Sequence, residues 1–303
     1  MIKISEVEKS FDGFKALDCL NINVKRGSIY GLVGPNGSGK TTIIKHLTGV
    51  LKPDEGTIEI NGEPVYENEK IKEIIGFIPD DLYFFATYNL KEMSKFLRGI
   101  YPKWNQDRFE KIVTKFGLDS KRKISKFSKG MQKQAAFALT MAQMPEVLVL
   151  DEPVDGLDPI VRKIVWNYII EDVAEREMTV IISSHNLREI EGVCDSVGIL
   201  EKGKMLIERD LDELKTDIHK VQISFGERKD DVDTENIYEG LNVMFRETRG
   251  SVDLLIIKEK QERVEEILRS KNPVLMDMLP LSLEEIFIYE IGGGESEIME
   301  NIF

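Results

Sequence analysis

Gly34-Pro35-Asn36-Gly37-Ser38-Gly39-Lys40-Thr41-Thr42 satisfies the pattern G-x-x-x-x-G-K-[ST] at every fixed position. Before it, Ile29-Tyr30-Gly31-Leu32-Val33 is a short apolar run that reads as a buried strand. After it, Ile43, Ile44, Leu47, Val50 and Leu51 recur at helical spacing. Strand, glycine-rich turn and helix together make a phosphate cradle. The glycines let successive backbone N–H groups point inward, and the helix N-terminus adds its dipole. In such a cradle Lys40 serves the β- and γ-phosphates and the Thr41 hydroxyl serves Mg²⁺. The stretch implies nucleotide binding, against the plainer reading of a glycine-rich turn with a solvated lysine.

A second signal lies downstream, in Val147-Leu148-Val149-Leu150-Asp151-Glu152-Pro153. The apolar run suits a buried parallel strand, with two carboxylates at its C-terminal end. With a cradle upstream, Asp151 is expected to hold Mg²⁺ directly or through water, and Glu152 to polarise a water attacking the γ-phosphate. Helix capping is the structural alternative for both. Met178 to Ser183 reads as another buried strand, ending in Ser183-Ser184-His185-Asn186, where His185 is placed to meet the γ-phosphate or a water. Ile74 to Ile78 is a strand cut by Pro79, and Asp80 and Asp81 follow at the end where ligand-facing groups sit in open α/β sheets. In the turn Phe11-Asp12-Gly13-Phe14, Phe11 is a candidate adenine platform, against the alternative that Phe11 or Phe14 packs under the sheet.

The rest of the chain frames these signals. Its 303 residues, 42% hydrophobic and 31% charged, suit one large and one smaller globular domain. No apolar run approaches the roughly 18 residues of a membrane span, and Met-Ile-Lys-Ile-Ser-Glu does not read as a signal peptide. A net charge of −13 argues against a general nucleic-acid surface. Cys19 and Cys194 lack ligand spacing and are expected as buried fillers. Thr57 to Ile60 alternates into the turn Asn61-Gly62. From about 87 to 145 the pattern turns helical, with Leu90, Met93, Phe96, Leu97 and Ile100 on one face and Phe109, Ile112, Val113 and Phe116 on another. Pro159 opens a helix to about Glu175, and Leu211 to Lys215 begins a short one. Residues 217–294 read as a small α+β domain whose last helix, Ser282 to Ile291, is capped by Gly292-Gly293-Gly294. Residues 295–303 form an acidic tail.

Together these residues resemble the ATP-binding subunit of an ABC transporter over about residues 1 to 215. Gly34 to Thr42 matches the Walker A loop and Val147 to Glu152 the Walker B strand with its catalytic glutamate. Phe11 falls at the adenine-stacking aromatic, Gly156-Leu157-Asp158 at the D-loop, and His185 at the switch histidine. Ser128-Lys129-Gly130-Met131-Gln132 stands where the family carries its Leu-Ser-Gly-Gly-Gln signature. The resemblance implies a P-loop NTPase domain over 1–216, with a RecA-like core, an antiparallel β subdomain and a helical insert. It implies ATP and Mg²⁺ as ligands, with Asp80 joining Thr41 and Asp151 around the metal. Two departures stand out. Asp80 replaces the family's glutamine and adds charge beside Asp151 and Glu152. Lys129 and Met131 replace residues of the signature, a variant of bacterial export-type subunits with separate membrane partners.

The resemblance also implies a mechanism. Each ATP lies between the P-loop of one subunit and Ser128, Lys129, Gly130 and Asp158 of a second copy or a paralogous ATPase subunit. Hydrolysis, with Glu152 orienting water and His185 holding the γ-phosphate, opens the pair and drives transmembrane permease subunits. The chain is expected in the cytoplasm, peripheral on the membrane's cytoplasmic face. Tyr83, Phe84, Phe85, Tyr101 and Trp104 either dock on that partner or fill the core of the helical insert. Two rival readings are a regulatory or structural dimer that scarcely turns over, motivated by Asp80, and a soluble relative serving translation or DNA repair.

Overall fold

The structure, a computed structural model, describes residues 1–211, 213, 218–226 and 237–291. The expected glycine cap at 292–294 and the tail 295–303 lie outside the described residues, as does most of the short helix expected over 211–215. The chain divides into two compact units, Met1–Glu208 and Arg209–Phe303. Among the described residues no helix is long and apolar enough to cross a membrane.

The first unit opens with strands β1 (Ile2–Phe11) and β2 (Phe14–Val24), paired antiparallel. β3 (Ile29–Val33) leads through the cradle into helix α1 (Lys40–Leu47). β4 (Glu55–Ile60), β5 (Glu63–Pro64), α2 (Glu69–Glu73) and β6 (Ile75–Ile78) follow. The helical insert contains α3 (Leu90–Arg98), α4 (Gln106–Lys115) and α5 (Lys129–Met141). Then come β7 (Val147–Asp151), α6 (Pro159–Arg176), β8 (Thr179–Ser184), α7 (Leu187–Ile190), β9 (Ser196–Glu201) and β10 (Lys204–Asp210). Two sheets result, one ordered β2-β1-β4-β5 and the other β10-β9-β3-β8-β7-β6.

Asp12-Gly13, Asn61-Gly62 and Lys202-Gly203 close tight turns, and in each dipeptide both residues have positive φ. That is the requirement of the hairpin turn whose twist matches its strands.

The parallel strands β3, β7 and β8 are buried along their whole length, which explains their uninterrupted apolar sequence. Their register decides where function can sit. Val33 lies beside Ser184, and Asp151 beside Ser183, so these strands end on one common edge. β6 ends there too, with Ile78 beside Leu150.

α1 is the shared core of both sheets. Ile43, Ile44 and Leu47 cluster with Tyr30, Leu32, Val147 and Val149 of the parallel sheet and with Ile4, Leu20 and Ile60 of the antiparallel one. Each such burial contributes about 1.5–3 kcal/mol, so the cradle is anchored by a helix packed into the core.

The insert begins with a capping box: the Glu92 N–H donates to Asn89 Oδ1 and the Asn89 N–H to Glu92 Oε2. The expected apolar face of α3 is only partly covered. Leu90 is buried, but Phe96 and Ile100 are exposed. Tyr83 and Phe85 are also exposed, while Phe84, Tyr101 and Trp104 are half-buried. The expectation for the cysteines also needs correction. Cys19 is exposed, at a positive φ in a strand whose register shifts around it. Cys194 is half-buried, and burial of its thiol pushes the pKa up, beyond reach of ordinary ionisation.

The second unit is an antiparallel sheet ordered β12-β13-β11-β14. Its strands are β11 (Ile218–Ser224), β12 (Val243–Arg249), β13 (Val252–Lys258) and β14 (Leu275–Leu279), with helices α8 (Gln261–Ser270) and α9 (Leu283–Ile291). Val221, Ile223, Leu255 and Ile257 of the sheet cluster with Tyr238 and with Val264 and Leu268 of α8. Within this core the buried Asp253 accepts hydrogen bonds from Tyr238 Oη, Thr248 Oγ1 and an Arg246 guanidinium N–H. The architecture is that of a RecA-like P-loop NTPase core with an antiparallel β subdomain and a helical insert, followed by a small α+β domain.

Candidate functional site

The cradle is built backbone first. A Cβ on Gly34 would stand 2.1 Å from the Leu200 carbonyl oxygen, so the chain passes there only as glycine. Gly39 adopts φ 110°, a conformation other residues rarely tolerate, immediately before α1. Lys40 is buried, and its ammonium donates to the carbonyls of Gly34 (2.6 Å) and Pro35 (3.2 Å). The ammonium therefore closes the loop on itself. Burial holds its pKa below the ordinary lysine value, opposed by the charges of Glu152 and Asp151. Thr42 uses its carbonyl to accept from His46 Nδ1 at 2.7 Å, and Ser38 is buried within the loop.

Around this loop lies a cavity of about 310 Å³, lined by Phe11, Phe14, Asn36, Gly37, Gly39, Lys40, Thr41, Thr42, Asp80, Asp151 and Glu152. Phe11 and Phe14 are cross-strand partners flanking the Asp12-Gly13 turn, which puts them side by side. Both are exposed, so neither packs under the sheet. Phe14 was not singled out by sequence, although its pairing with Phe11 across a two-residue turn is a usable signal.

Asp151 is buried on the floor of this cavity, and one of its oxygens, Oδ1, accepts from the Ser183 hydroxyl. Ser183 is its register partner on β8. The same hydroxyl accepts from the Glu152 N–H at 3.2 Å. Glu152 has φ 47°, a left-handed backbone unusual for a side chain of this size. Its carboxylate meets His185 Nδ1 at 2.9 Å. An ionised carboxylate only accepts, so Nδ1 carries the hydrogen in this contact. Burial raises the Glu152 pKa above the ordinary carboxylate value, while His185 and Lys40 pull it back.

Hard oxygen donors suit magnesium, which takes one or two carboxylates and completes its shell with phosphates and water. Asp151 and Thr41 line one cavity and fit that pattern. Among the described residues no three His, Cys, Asp or Glu side chains cluster as a metal cage. Asp80 also lines the cavity, but its carboxylate faces Lys133 Nζ at 3.3 Å. Lys133 is a residue sequence reasoning missed, since only folding brings α5 against the end of β7.

The remaining sequence-derived residues lie elsewhere. Lys129 and Gly130 line a second cavity of about 330 Å³, with Asp80, Asp81, Gln132, Lys133 and Asp155. Ser128 caps α5, accepting from the Met131 N–H, and Asp158 caps α6, accepting from the N–H groups of Ile160 and Val161. The two cavities are of similar size, so their linings distinguish them. The first holds Lys40, Thr41, Asp151 and Glu152. None of Ser128, Lys129 and Gly130 lines it.

A family model described as "ABC transporter" matches residues 17–155. The chain is 32% identical over 293 residues to the ABC transporter ATP-binding protein YtrB of Bacillus subtilis (strain 168), covering 97% of this chain and 99% of that protein. It is 36% identical over 313 residues to the bacitracin transport ATP-binding protein BcrA of Bacillus licheniformis, covering 97% of this chain and 98% of that one. A solved ATP-binding subunit of an ABC transporter superposes with a TM-score of 0.66 at 26% identity, covering 71% of this chain and 92% of the other.

Proposed function

The chain belongs to the family of ABC transporter ATP-binding proteins, and from that premise we propose that it hydrolyses ATP to drive transmembrane permease subunits. Phe11 stacks the adenine, and the cradle N–H groups with Lys40 hold the phosphates. Thr41 and Asp151 would hold magnesium, which when bound neutralises phosphate charge. Glu152 takes a proton from water as the water oxygen bonds to the γ-phosphorus. The bridging oxygen leaves with the electron pair of the broken bond, giving ADP and phosphate. Positioning and charge stabilisation do the work here, with no covalent intermediate. His185, in contact with Glu152 through Nδ1, holds the γ-phosphate in this reading.

One observation carries the composite-site part of this reading: the cavity that holds Lys40, Thr41, Asp151 and Glu152 contains none of Ser128, Lys129 and Gly130. Those residues then serve ATP on a second copy or a paralogous ATPase subunit, paired head to tail, with Asp158 in the joining loop. The exposed Tyr83, Phe85, Phe96 and Ile100 are the proposed face toward the permease, and the cytoplasmic face of the membrane is the proposed location. Export is the proposed direction, resting on the signature variant Ser128-Lys129-Gly130-Met131. No nucleic acid is expected as a partner, given the net charge of −13.

Turnover of the purified chain beside its Glu152→Gln variant tests the enzymatic claim. The native chain is expected to release phosphate well above the variant. A native chain as slow as Glu152→Gln would favour the non-hydrolysing dimer.

A further inference from the structure

Glu152 sits in a backbone conformation that strains a non-glycine residue and persists only where its surroundings over-determine it. Its φ is 47°. On one side the Glu152 N–H is shared between the Ser183 carbonyl at 3.3 Å and the Ser183 hydroxyl at 3.2 Å. On the other side, the Glu152 carbonyl accepts from Lys133 Nζ at 2.8 Å. The strained residue is thus held at both ends of its own backbone, by β8 and by α5.

Lys133 is well placed for this. Its side chain is only 12% exposed, and its ammonium has a second partner in Asp80 Oδ1 at 3.3 Å. The Asp80 side chain is 54% exposed, and such a pair contributes little to stability on its own. What Asp80 supplies is direction and charge balance for a nearly buried cation. A glutamine at 80 would offer a neutral oxygen in place of an anion, so Asp80 and Lys133 make sense as a pair. Asp80 also lines both the P-loop cavity and the cavity of Lys129 and Gly130.

We propose that Lys133 is a positioning residue of the hydrolytic centre: steered by Asp80, its ammonium holds the Glu152 peptide in the left-handed turn that aims the carboxylate at His185. Asp80 is thereby an anchor for Lys133 instead of the metal ligand expected from sequence. α5 is capped by Ser128 and carries Lys133 on its second turn. The helix that offers the signature residues to a partner's nucleotide therefore also holds the base of its own site. The proposal rests on the hydrolytic reading of Glu152.

Steady-state hydrolysis by the full chain tests it, with native, Lys133→Met, Lys133→Arg, Asp80→Asn and Glu152→Gln proteins. Lys133→Met is expected to lower kcat about tenfold or more, the scale on which small misplacements of a reacting group act. KM for ATP should stay within about twofold, because substrate binding is untouched. Lys133→Arg should recover most of the loss. Asp80→Asn should fall in the same direction, and the double variant Asp80→Asn/Lys133→Met should be no slower than Lys133→Met alone. Melting without nucleotide identifies any variant that fails to fold, and Lys133→Arg with Asp80→Asn then carries the test. Native kcat in Lys133→Met, a loss confined to KM, or multiplicative effects of the two substitutions would overturn the proposal. A native chain no faster than Glu152→Gln would instead overturn the hydrolytic reading, and the proposal with it.

Discussion

Each of the two units hides an aspartate within its sheet, and the two are treated oppositely. Asp253 of the second unit receives Tyr238, Thr248 and Arg246, its charge matched by a cation. Asp151 of the first unit receives one hydroxyl, that of Ser183, and faces a cavity. Burying a carboxylate is costly unless hydrogen bonds and opposite charge offset it. Asp253 is offset within the fold, so it reads as a staple of that core. Asp151 has the Ser183 hydroxyl as its one hydrogen-bond partner among the described residues, with the Lys40 charge nearby, and lines space that a cation can fill. Burial alone does not mark a site; burial with spare valence does.

The sharpest way to break this contrast is at the neighbour of Asp151. Glu152→Gln is expected to lower ATP turnover by about 10²–10⁴-fold, the range for loss of a general base, with ATP affinity retained. A phosphate-release assay beside equilibrium ATP binding separates the two. Next comes the staple. Asp253→Ala removes the carboxylate that Arg246, Tyr238 and Thr248 share and should destabilise the second unit by about 3–5 kcal/mol, seen as an earlier unfolding transition in urea. ATP affinity at the first unit should not follow.

Asp151→Asn sharpens the comparison from the other side. Hydrolysis should be lost, yet the chain without nucleotide should melt no earlier than native, because the one hydrogen bond Asp151 accepts among the described residues, from the Ser183 hydroxyl, can be accepted equally by an asparagine oxygen. A strongly lowered melting point would make Asp151 a staple as well.

The pH dependence of kcat follows from two displaced groups. Glu152 must be ionised to accept a proton, and burial raises its pKa, so the acid limb should fall off at higher pH than an ordinary carboxylate gives. Lys40 must be charged, and burial lowers its pKa, so the alkaline limb should begin below the ordinary lysine value. Glu152→Gln should abolish the acid limb. The smallest effect is expected at the cavity mouth. Phe11→Ala should weaken ATP binding by about 1–3 kcal/mol, the worth of base stacking on an aromatic ring, measured by calorimetry. Turnover at saturation should hardly change.

What the amino-acid order disclosed, and what it concealed, divides along contact range. The cradle, the Asp151-Glu152 strand end and His185 are contiguous signals, each a strand followed by its own functional loop. Their convergence was readable because buried parallel strands end together. Lys133 and Ser183 were not legible, because each matters only through a partner far away in the chain. α3 shows a different limit: Phe96 and Ile100 follow helical periodicity, which tells that a face is apolar but not what covers it. β14 escaped notice because it is an edge strand with Asp277 breaking its apolar pattern and little of it buried. Cys19 lies at a shift in register that composition does not signal.

The composite site is the central claim, since the cavity of Lys40, Asp151 and Glu152 lacks Ser128, Lys129 and Gly130. Light scattering of the Glu152→Gln chain, saturated with Mg²⁺ and ATP, tests it most directly. The predicted result is a mass twice that of the chain, returning to one chain's mass when nucleotide is removed or when Ser128 and Gly130 are both substituted. A chain that binds ATP at full stoichiometry and keeps the mass of a single copy would contradict the account.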